Sequence, residues 1–397
     1  MAKPEIRLKG FEGEWKAVQL RNILTERHVL STITDELPQL SFTIQEGVIF
    51  PQDRKTNKRD FLIKDITNKR YLITKYDDII YNPANVIHGA IHRNGLCDGV
   101  VSPIYKIFES DQNAKYVECI VRRASFIKKM TVFIEGTVLK LRTLKPESFL
   151  NMDTYIACSL EEQKQIAGYF KSLDTMMLGV TKKIASLKQM KQACLVSMFP
   201  QATETKPRVR FKGFKGEWID SKLGEIFSER VESNIDGEML SVTMNNGIIK
   251  ASENGRFDNS NSNKSHYKVV KVNDIAYNSM RMWQGASGCS SYEGIVSPAY
   301  TVVTPVDGIH SQFFAYMFKT LAMIKVFRLH SQGLTSDTWN LKYPAFSQIG
   351  VLYPKDINEQ KQIAAFFRSL DSQISLQEQR LEKLKQIKSA CLDKMFV

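Results

Sequence analysis

The chain has 397 residues, with 55 Lys and Arg against 42 Asp and Glu, a formal charge of +13. Its 43% hydrophobic and 10% aromatic content fits packed domains and excludes wholesale disorder, and the length suits two or three of them. No run of 18 apolar residues occurs, so no membrane span is expected, and the start MAKPEIRLKGFEGEW lacks the apolar stretch of a signal peptide. The six Cys (97, 119, 158, 194, 289 and 391) never form a CxxC pair. Reduced thiols in a cytoplasmic protein are expected, not a disulfide scaffold or zinc ribbon. Positive charge in such a protein points first to nucleic acid.

In chain order, residues 1–158 form a first globule of short β-rich and helical runs. It opens with KPEIRLKGFEGEW and continues through LSFTIQEGVI (40–49), YLITKYDDIIYN (71–82) and GVVSPIY (99–105). Residues 159–199 read as one long helix, and PQATETKP (200–207) as a linker after a Pro that ends it. Every block then recurs in the same order: KPRVRFKGFKGEW, LSVTMNNGII (240–249), YKVVKVNDIAYN (267–278) and GIVSPAY (294–300) in a second globule (206–356), then a second long helix (357–397). Residues 3–27 match 206–230 at 13 of 25 positions, and 162–199 match 359–396 at 19 of 38. The chain is a tandem duplication. Asp77-Asp78 and Asn273-Asp274 mark strand–turn–strand units, and 311–329 reads as a helix. The fold class expected is α+β: two globules, each with a twisted, largely antiparallel sheet plus helices, separated by two long helices.

Both helical segments carry an apolar seam stepping by four and three. It runs through Ile166, Phe170, Leu173, Met177, Val180, Ile184 and Leu187, and through Ile363, Phe367, Leu370, Ile374, Leu381 and Leu384. This is the 3.5-residue period of a coiled coil, and two such helices in one chain are expected to pair. Lys191 and Lys388 interrupt both seams at the same level, and Gln377 one of them. Polar residues at such positions commonly fix register.

Catalytic signatures are missing. There is no Walker A sequence and no HExxH, and the glycines of GFEGEW and GFKGEW are too close for a dinucleotide turn. His88 and His92, four apart, could share a helix face and bind metal, but Pro83, Gly89 and Gly95 argue against a helix there. YNPAN (81–85) resembles the Asn-Pro-Pro-aromatic turn of adenine methyltransferases. Its counterpart YNSMR (277–281) lacks the Pro and no glycine-rich turn precedes it, so it reads as a structural loop. No carboxylate cluster suited to a nuclease's Mg²⁺ recurs in both copies. The expectation is no catalytic residue, no metal and no cofactor on this chain.

The segments that differ between the copies are then the informative ones. PQDRKTNKRDF (51–61) faces ASENGRFDNSNSNKSHY (251–267). PANVIHGAIHRNG (83–95) faces SMRMWQGASGCSSYEG (279–294), and GTVLKLRTLKPESF (136–149) faces GLTSDTWNLKYPAF (333–346). Their Arg and Lys suit guanine or phosphate, and their Asn and Gln suit adenine. Candidate DNA contacts are Arg54, Lys55, Asn57, Lys58, Arg59, His88, His92, Arg93 and Arg142 in the first copy. In the second they are Arg256, Lys264, His266, Arg281, Trp283, Gln284, Gln332, Thr335 and Trp339. Two similar globules with different loops on a stiff connector would read two short sequences at a fixed spacing.

On the doubled P-x-[IV]-R-[LF]-K-G-F-x-G-E-W block and the doubled EQKQIA followed by FxSLD, the chain resembles the specificity subunit of type I restriction-modification systems over its full length. It departs from the family's usual I-P-hydrophobic-P stretch in the first copy, which has TYIACS (154–159) where the second has VLYPKD (351–356). The resemblance implies two target-recognition domains that bind the halves of a split double-stranded DNA site. It also implies an antiparallel coiled coil that separates them and docks two modification subunits. S-adenosylmethionine for adenine-N6 methylation, and ATP and Mg for the restriction subunits, would sit on those bacterial or archaeal partners in defence against foreign DNA. The other readings open to the sequence are a free-standing bipartite DNA-binding regulator and a complete methyltransferase or nuclease.

Overall fold

The computed structural model describes residues 2–54, 69–134, 143–201, 204–244, 246–254, 264–335 and 337–397. It divides into two compact units, Met1–Thr181 with Gln379–Val397, and Lys182–Glu378. Each unit combines one repeat with the end of the other repeat's long helix.

In the first unit a four-stranded sheet runs Leu24–Glu26, Lys106–Ser110, Ile79–Tyr81, Ile91–Arg93. Beside it lie a three-stranded sheet of Leu30–Ser31, Tyr71–Thr74 and Gly99–Val101, and the hairpin Ser41–Thr43/Gly47–Ile49. The second unit repeats the four-stranded sheet as Phe227–Glu229, Tyr300–Pro305, Ile275–Asn278, Ser287–Cys289, and the hairpin as Leu240–Thr243/Gly247–Lys250. Pairing within these sheets is antiparallel, as expected, but distributed over several small sheets. The departure at TYIACS leaves the local strand intact: Asp153–Ile156 pairs with Lys16–Gln19 just as Gly350–Pro354 pairs with Trp218–Lys222.

The strand–turn–strand units do not close as hairpins. Tyr71–Thr74 belongs to the three-stranded sheet and Ile79–Tyr81 to the four-stranded one, so the turn hands the chain between sheets. Asp77 and Asn273 take φ of 75° and 72°, a left-handed conformation that Asp and Asn tolerate better than other side chains. The next residue locks the turn. Asp78 accepts from the Lys75 amide (2.7 Å) and a bidentate Arg27, and Asp274 accepts from Lys271 (2.8 Å) and a bidentate Arg230.

The segment 311–329 forms two helices, Ser311–Met317 and Leu321–His330. Thr320 interrupts it: its hydroxyl accepts from the Met323 amide and caps the second helix, a bond that favours a fresh start over continuation.

The long helices are Leu160–Ser197 and Ile357–Lys394, 38 residues each. Within the first unit they run antiparallel: the Tyr169 hydroxyl lies 3.3 Å from Cys391 Sγ, and Lys388 Nζ 2.5 Å from Asp174. Within the second, Lys188 meets Glu378 at 2.6 Å and Lys191 meets Asp371 at 2.5 Å. Ile166, Phe170, Leu173, Val180, Ile184, Leu187, Ile363, Phe367, Leu370 and Ile374 are buried, while Met177, Leu381 and Leu384 are partly so. The two lysines that interrupt the seams are thus each answered by an aspartate on the opposing helix.

The blocks shared by the repeats form a latch. Arg7 of EIR makes a bidentate bond to Glu162 (2.8 and 2.9 Å), and Arg210 of RVR makes the same bond to Glu359 (2.6 and 2.7 Å). The neighbouring Gln163 and Gln360 donate to the carbonyls of Ala157 and Pro354 and accept from the amides of Asn113 and His310. Each core is finished by a phenylalanine that follows the other repeat's helix. Phe396 stands edge-on to Trp15 (5.8 Å) in the first unit, and Phe199 to Trp218 (6.3 Å) in the second.

Candidate nucleic-acid interface

In both units the chain leaves the four-stranded sheet through an Asx turn. Asn82 Oδ1 accepts from the Ala84 amide and Asn278 Oδ1 from the Met280 amide, both at 3.0 Å. A single helical turn follows (Val86–His88, Met282–Gln284), ended by Gly89 and Gly285 at φ of 84° and 83°. The turn is the same with Pro83 or Ser279 at its second position, which makes YNPAN framework.

In the second unit this turn gathers predicted residues. Trp283 stands edge-on to Trp339 at 5.2 Å, and its indole N–H donates to the Met280 carbonyl at 3.0 Å. Arg281 and Gln284 are exposed beside it. The loop that carries Trp339 is pinned by the Leu341 amide to the Ser279 carbonyl (2.8 Å) and by a bridge between Gln332 and Asn340. Gln332 and Thr335 are exposed on that loop. Sequence reasoning missed Arg328, whose guanidinium lies over the Trp339 ring at 5.1 Å. It also missed Lys319, which donates to the carbonyls of Met244 (2.8 Å) and Gly285 and so ties the hairpin to the turn. Burial, with Lys191 nearby, lowers the Lys319 ammonium to about 8. Both residues sit inside FKTLAMIKVFRL, where an apolar helical pattern hides them; an Arg in the last turn of a helix that feeds a loop was the available signal. Lys264 is half-buried and His266 exposed just before the strand Lys268–Val270, away from the tryptophan pair in sequence.

In the first unit a cleft of about 580 Å³ lies against the corresponding turn, lined by Asn82, Pro83, Asn85, Lys106 and Lys145 among others. His88 is exposed at the end of its helical turn, and Arg54 is half-buried after the turn Pro51–Asp53. Arg93 is engaged: it pairs with Asp77 and covers the Tyr76 ring at 5.4 Å. His92 must be withdrawn as a DNA contact. It is 4% exposed, with Nε2 2.8 Å from the Ile44 carbonyl, and burial lowers its imidazole to about 4, so it is neutral and faces inward. Lys55, Asn57, Lys58, Arg59, Arg142 and Arg256 lie outside the described residues. Among the described residues no three His, Cys, Asp or Glu side chains group to hold a metal, and no helix is long and apolar enough to cross a membrane.

Comparison with known proteins matches residues 215–386 to the type I restriction modification DNA specificity domain. A search of curated protein sequences found no match. Among solved structures, the type I restriction-modification S subunit from M. genitalium is 14% identical, with a TM-score of 0.61 over 100% of this chain and 99% of its own. A chain from a structure of complex assembly and conformational transition in the type I R-M system is 13% identical, with a TM-score of 0.51 over 96% and 97%. At such identities the likeness is one of fold, while the family match lies on the repeat that holds the tryptophan pair. The second repeat thus matches the type I restriction modification DNA specificity domain, and the first repeats its sequence blocks and strands.

Proposed function

We propose that each unit reads one half of a bipartite DNA site, that the paired helices set the unread spacer, and that they dock two modification subunits. Restriction subunits would join the same cytoplasmic assembly in a bacterial or archaeal cell. On this reading S-adenosylmethionine, ATP and Mg belong to those partners. The observation that carries it is the division between a repeated framework (latches, Asx turns, two 38-residue helices) and loops of different composition mounted on it.

The pure chain should bind DNA weakly and with steep salt dependence, because phosphate contacts dominate, and should methylate nothing until modification subunits are added. Methylation by the lone chain above a mock preparation would end the reading. Replacing residues 206–350 with the matching segment of a relative should change one half of the methylated site in a long-read methylome and leave the other intact. If both halves change together, the units do not read independently. Inserting one heptad at matched levels, beside Val180 and Gln377, should lengthen each helix by about 10.5 Å, close to three base pairs at about 3.4 Å. Sites recovered from it should carry a longer spacer with unchanged halves. Normal modification at the parental spacing would show that the helices do not set the distance.

A further inference from the structure

The variable loops of the second unit present an apolar surface where a solvent-facing loop would ordinarily be polar. Leu334 is fully exposed, Leu329, in the last turn of the helix that leads into this loop, is 74% and Met280 47% exposed, and the Trp283–Trp339 pair lies in the same set of segments. One exposed leucine is unremarkable, but a group of them on segments built around two tryptophans marks a binding surface. The loop is also preformed. The Gln332–Asn340 bridge closes its neck, and the Thr335 amide donates to the Thr338 hydroxyl at 3.1 Å. Gly333, at φ 147°, sits where a Cβ would lie 2.6 Å from the Thr338 carbonyl oxygen, so only glycine permits the turn that carries Leu334.

The charge around this apolar tip selects its partner. Segments 278–285 and 321–342 contain Arg281, Lys325, Arg328 and Lys342 against Asp337 alone. A polyanion that offers a discrete apolar feature fits both properties. Duplex DNA has one in its major groove, the C5-methyl group of thymine, which apolar side chains contact. We infer that Leu334 is a specificity-determining residue that meets a thymine methyl in the half-site read by the second unit, with Arg281 and Arg328 placed for flanking phosphates. This inference rests on the half-site reading above.

The test uses the full chain assembled with its modification subunits and a labelled duplex carrying the methylome-derived site. Thymines of the second half-site are replaced one at a time by deoxyuridine, which removes only the methyl. At one position the wild-type complex should bind about four-fold more weakly, the equivalent of ~0.8 kcal/mol for one methyl-sized group. Leu334→Ala should weaken binding to the thymine duplex by a similar factor and be indifferent to uracil at that position, while Leu334→Met keeps the discrimination. Leu334 is fully exposed, so its truncation should leave thermal melting unchanged. Unaltered affinity in Leu334→Ala, or a uracil penalty that persists in it, overturns the inference while leaving half-site reading intact. So does a loss of DNA bending without thymine dependence, which would make Leu334 a wedge between base steps. Capture of acidic protein in place of DNA, or failure of the wild-type complex to bind its site, removes the half-site reading itself.

Discussion

The two units solve one mechanical problem with different chemistry. In each, a carbonyl in the turn of the hairpin is held to the body of the domain: Ile44 by the His92 ring in the first unit, Met244 by the Lys319 ammonium in the second. The strand position occupied by His92 is Gly288 in the second repeat, where an added Cβ would lie 2.8 Å from the Gly247 Cα. Without an imidazole, the hairpin of the second unit lies against bare backbone and the tether comes from a helix. The latches and Asx turns, by contrast, repeat residue for residue. The duplication has therefore kept the bonds that hold the variable loops even where it has changed the residues that make them, while the loops themselves diverged.

The sharpest way to break the correspondence is through the latches and the core plugs. Glu359 and Glu162 are 0% and 1% exposed, so Arg210→Ala or Arg7→Ala leaves a buried carboxylate without its cation. Breaking such a pair costs about 3–5 kcal/mol, and it should fall on the unit that owns the latch. Phe396→Ala should cost about 3–5 kcal/mol and destabilise the first unit, although the residue belongs to the second repeat. Denaturant melts read on Trp15 or Trp218, with the other tryptophans replaced by Phe, would locate each loss. Equal destabilisation of both units by Phe396→Ala would refute the exchange of helix ends.

How much of this was legible in the sequence depends on distance along the chain. The seam from Ile166 to Leu187 is a local period, and the helices it implies have the expected length. The repeated Arg7 and Glu162 blocks were visible as repeats, but their mutual bond spans 155 residues and no local pattern encodes it. The exchange of Phe199 and Phe396 is invisible for a related reason: a heptad seam fits either globule equally well. His92 lies in a segment that differs between the repeats and so reads as a DNA contact, but the hairpin some 50 residues upstream and Glu118 on a helix some 25 residues downstream enclose it. Arg328 and Lys319 were hidden because a cation inside an apolar helix reads as a spacer until its neighbours are known.

A smaller, pH-dependent effect separates the units through their tethers. Burial, aided by Arg122, holds His92 neutral in the folded first unit down to about pH 4, whereas an unperturbed imidazole protonates near 6.5. Between those values the unfolded chain binds the extra proton, so the first unit loses stability as pH falls from about 6.5 to about 4. The loss is on the order of 3 kcal/mol. His92→Gln should flatten that slope. Lys319 titrates near 8 when folded and near 10.5 otherwise, so its contribution declines as pH falls from about 10.5 to about 8 and is constant below. Acid should therefore loosen the first unit through His92, which Gly288 replaces in the second, where the less buried His310 is lowered in the same direction and gives a shallower slope. Parallel slopes for the two units between pH 4 and 6.5, in melts of wild type and His92→Gln, would contradict this.

The smallest expected effect concerns the seam lysines. Lys191–Asp371 and Lys388–Asp174 occupy the same level in the two repeats, yet each aspartate has a different second partner: the Tyr316 hydroxyl for Asp371 and Lys115 for Asp174. With their side chains 22–41% exposed, these pairs are partly screened, and removing one by Lys191→Ala or Lys388→Ala should cost only about 0.2–1 kcal/mol. Their larger role is geometric, because a lysine at a seam position is tolerated only where the opposing helix supplies a carboxylate. Asp371→Lys would set two ammonium groups against each other and should destabilise the second unit more than either alanine variant. The exchange Lys191→Asp with Asp371→Lys should restore most of the loss, and a double-mutant cycle by thermal melting measures the coupling. The same exchange at Asp174 and Lys388 should recover less, since Lys115 then faces a lysine, whereas Tyr316 can hydrogen-bond to either charge. Equal recovery in both units would show that the second partners do not matter and that the seam alone sets the register.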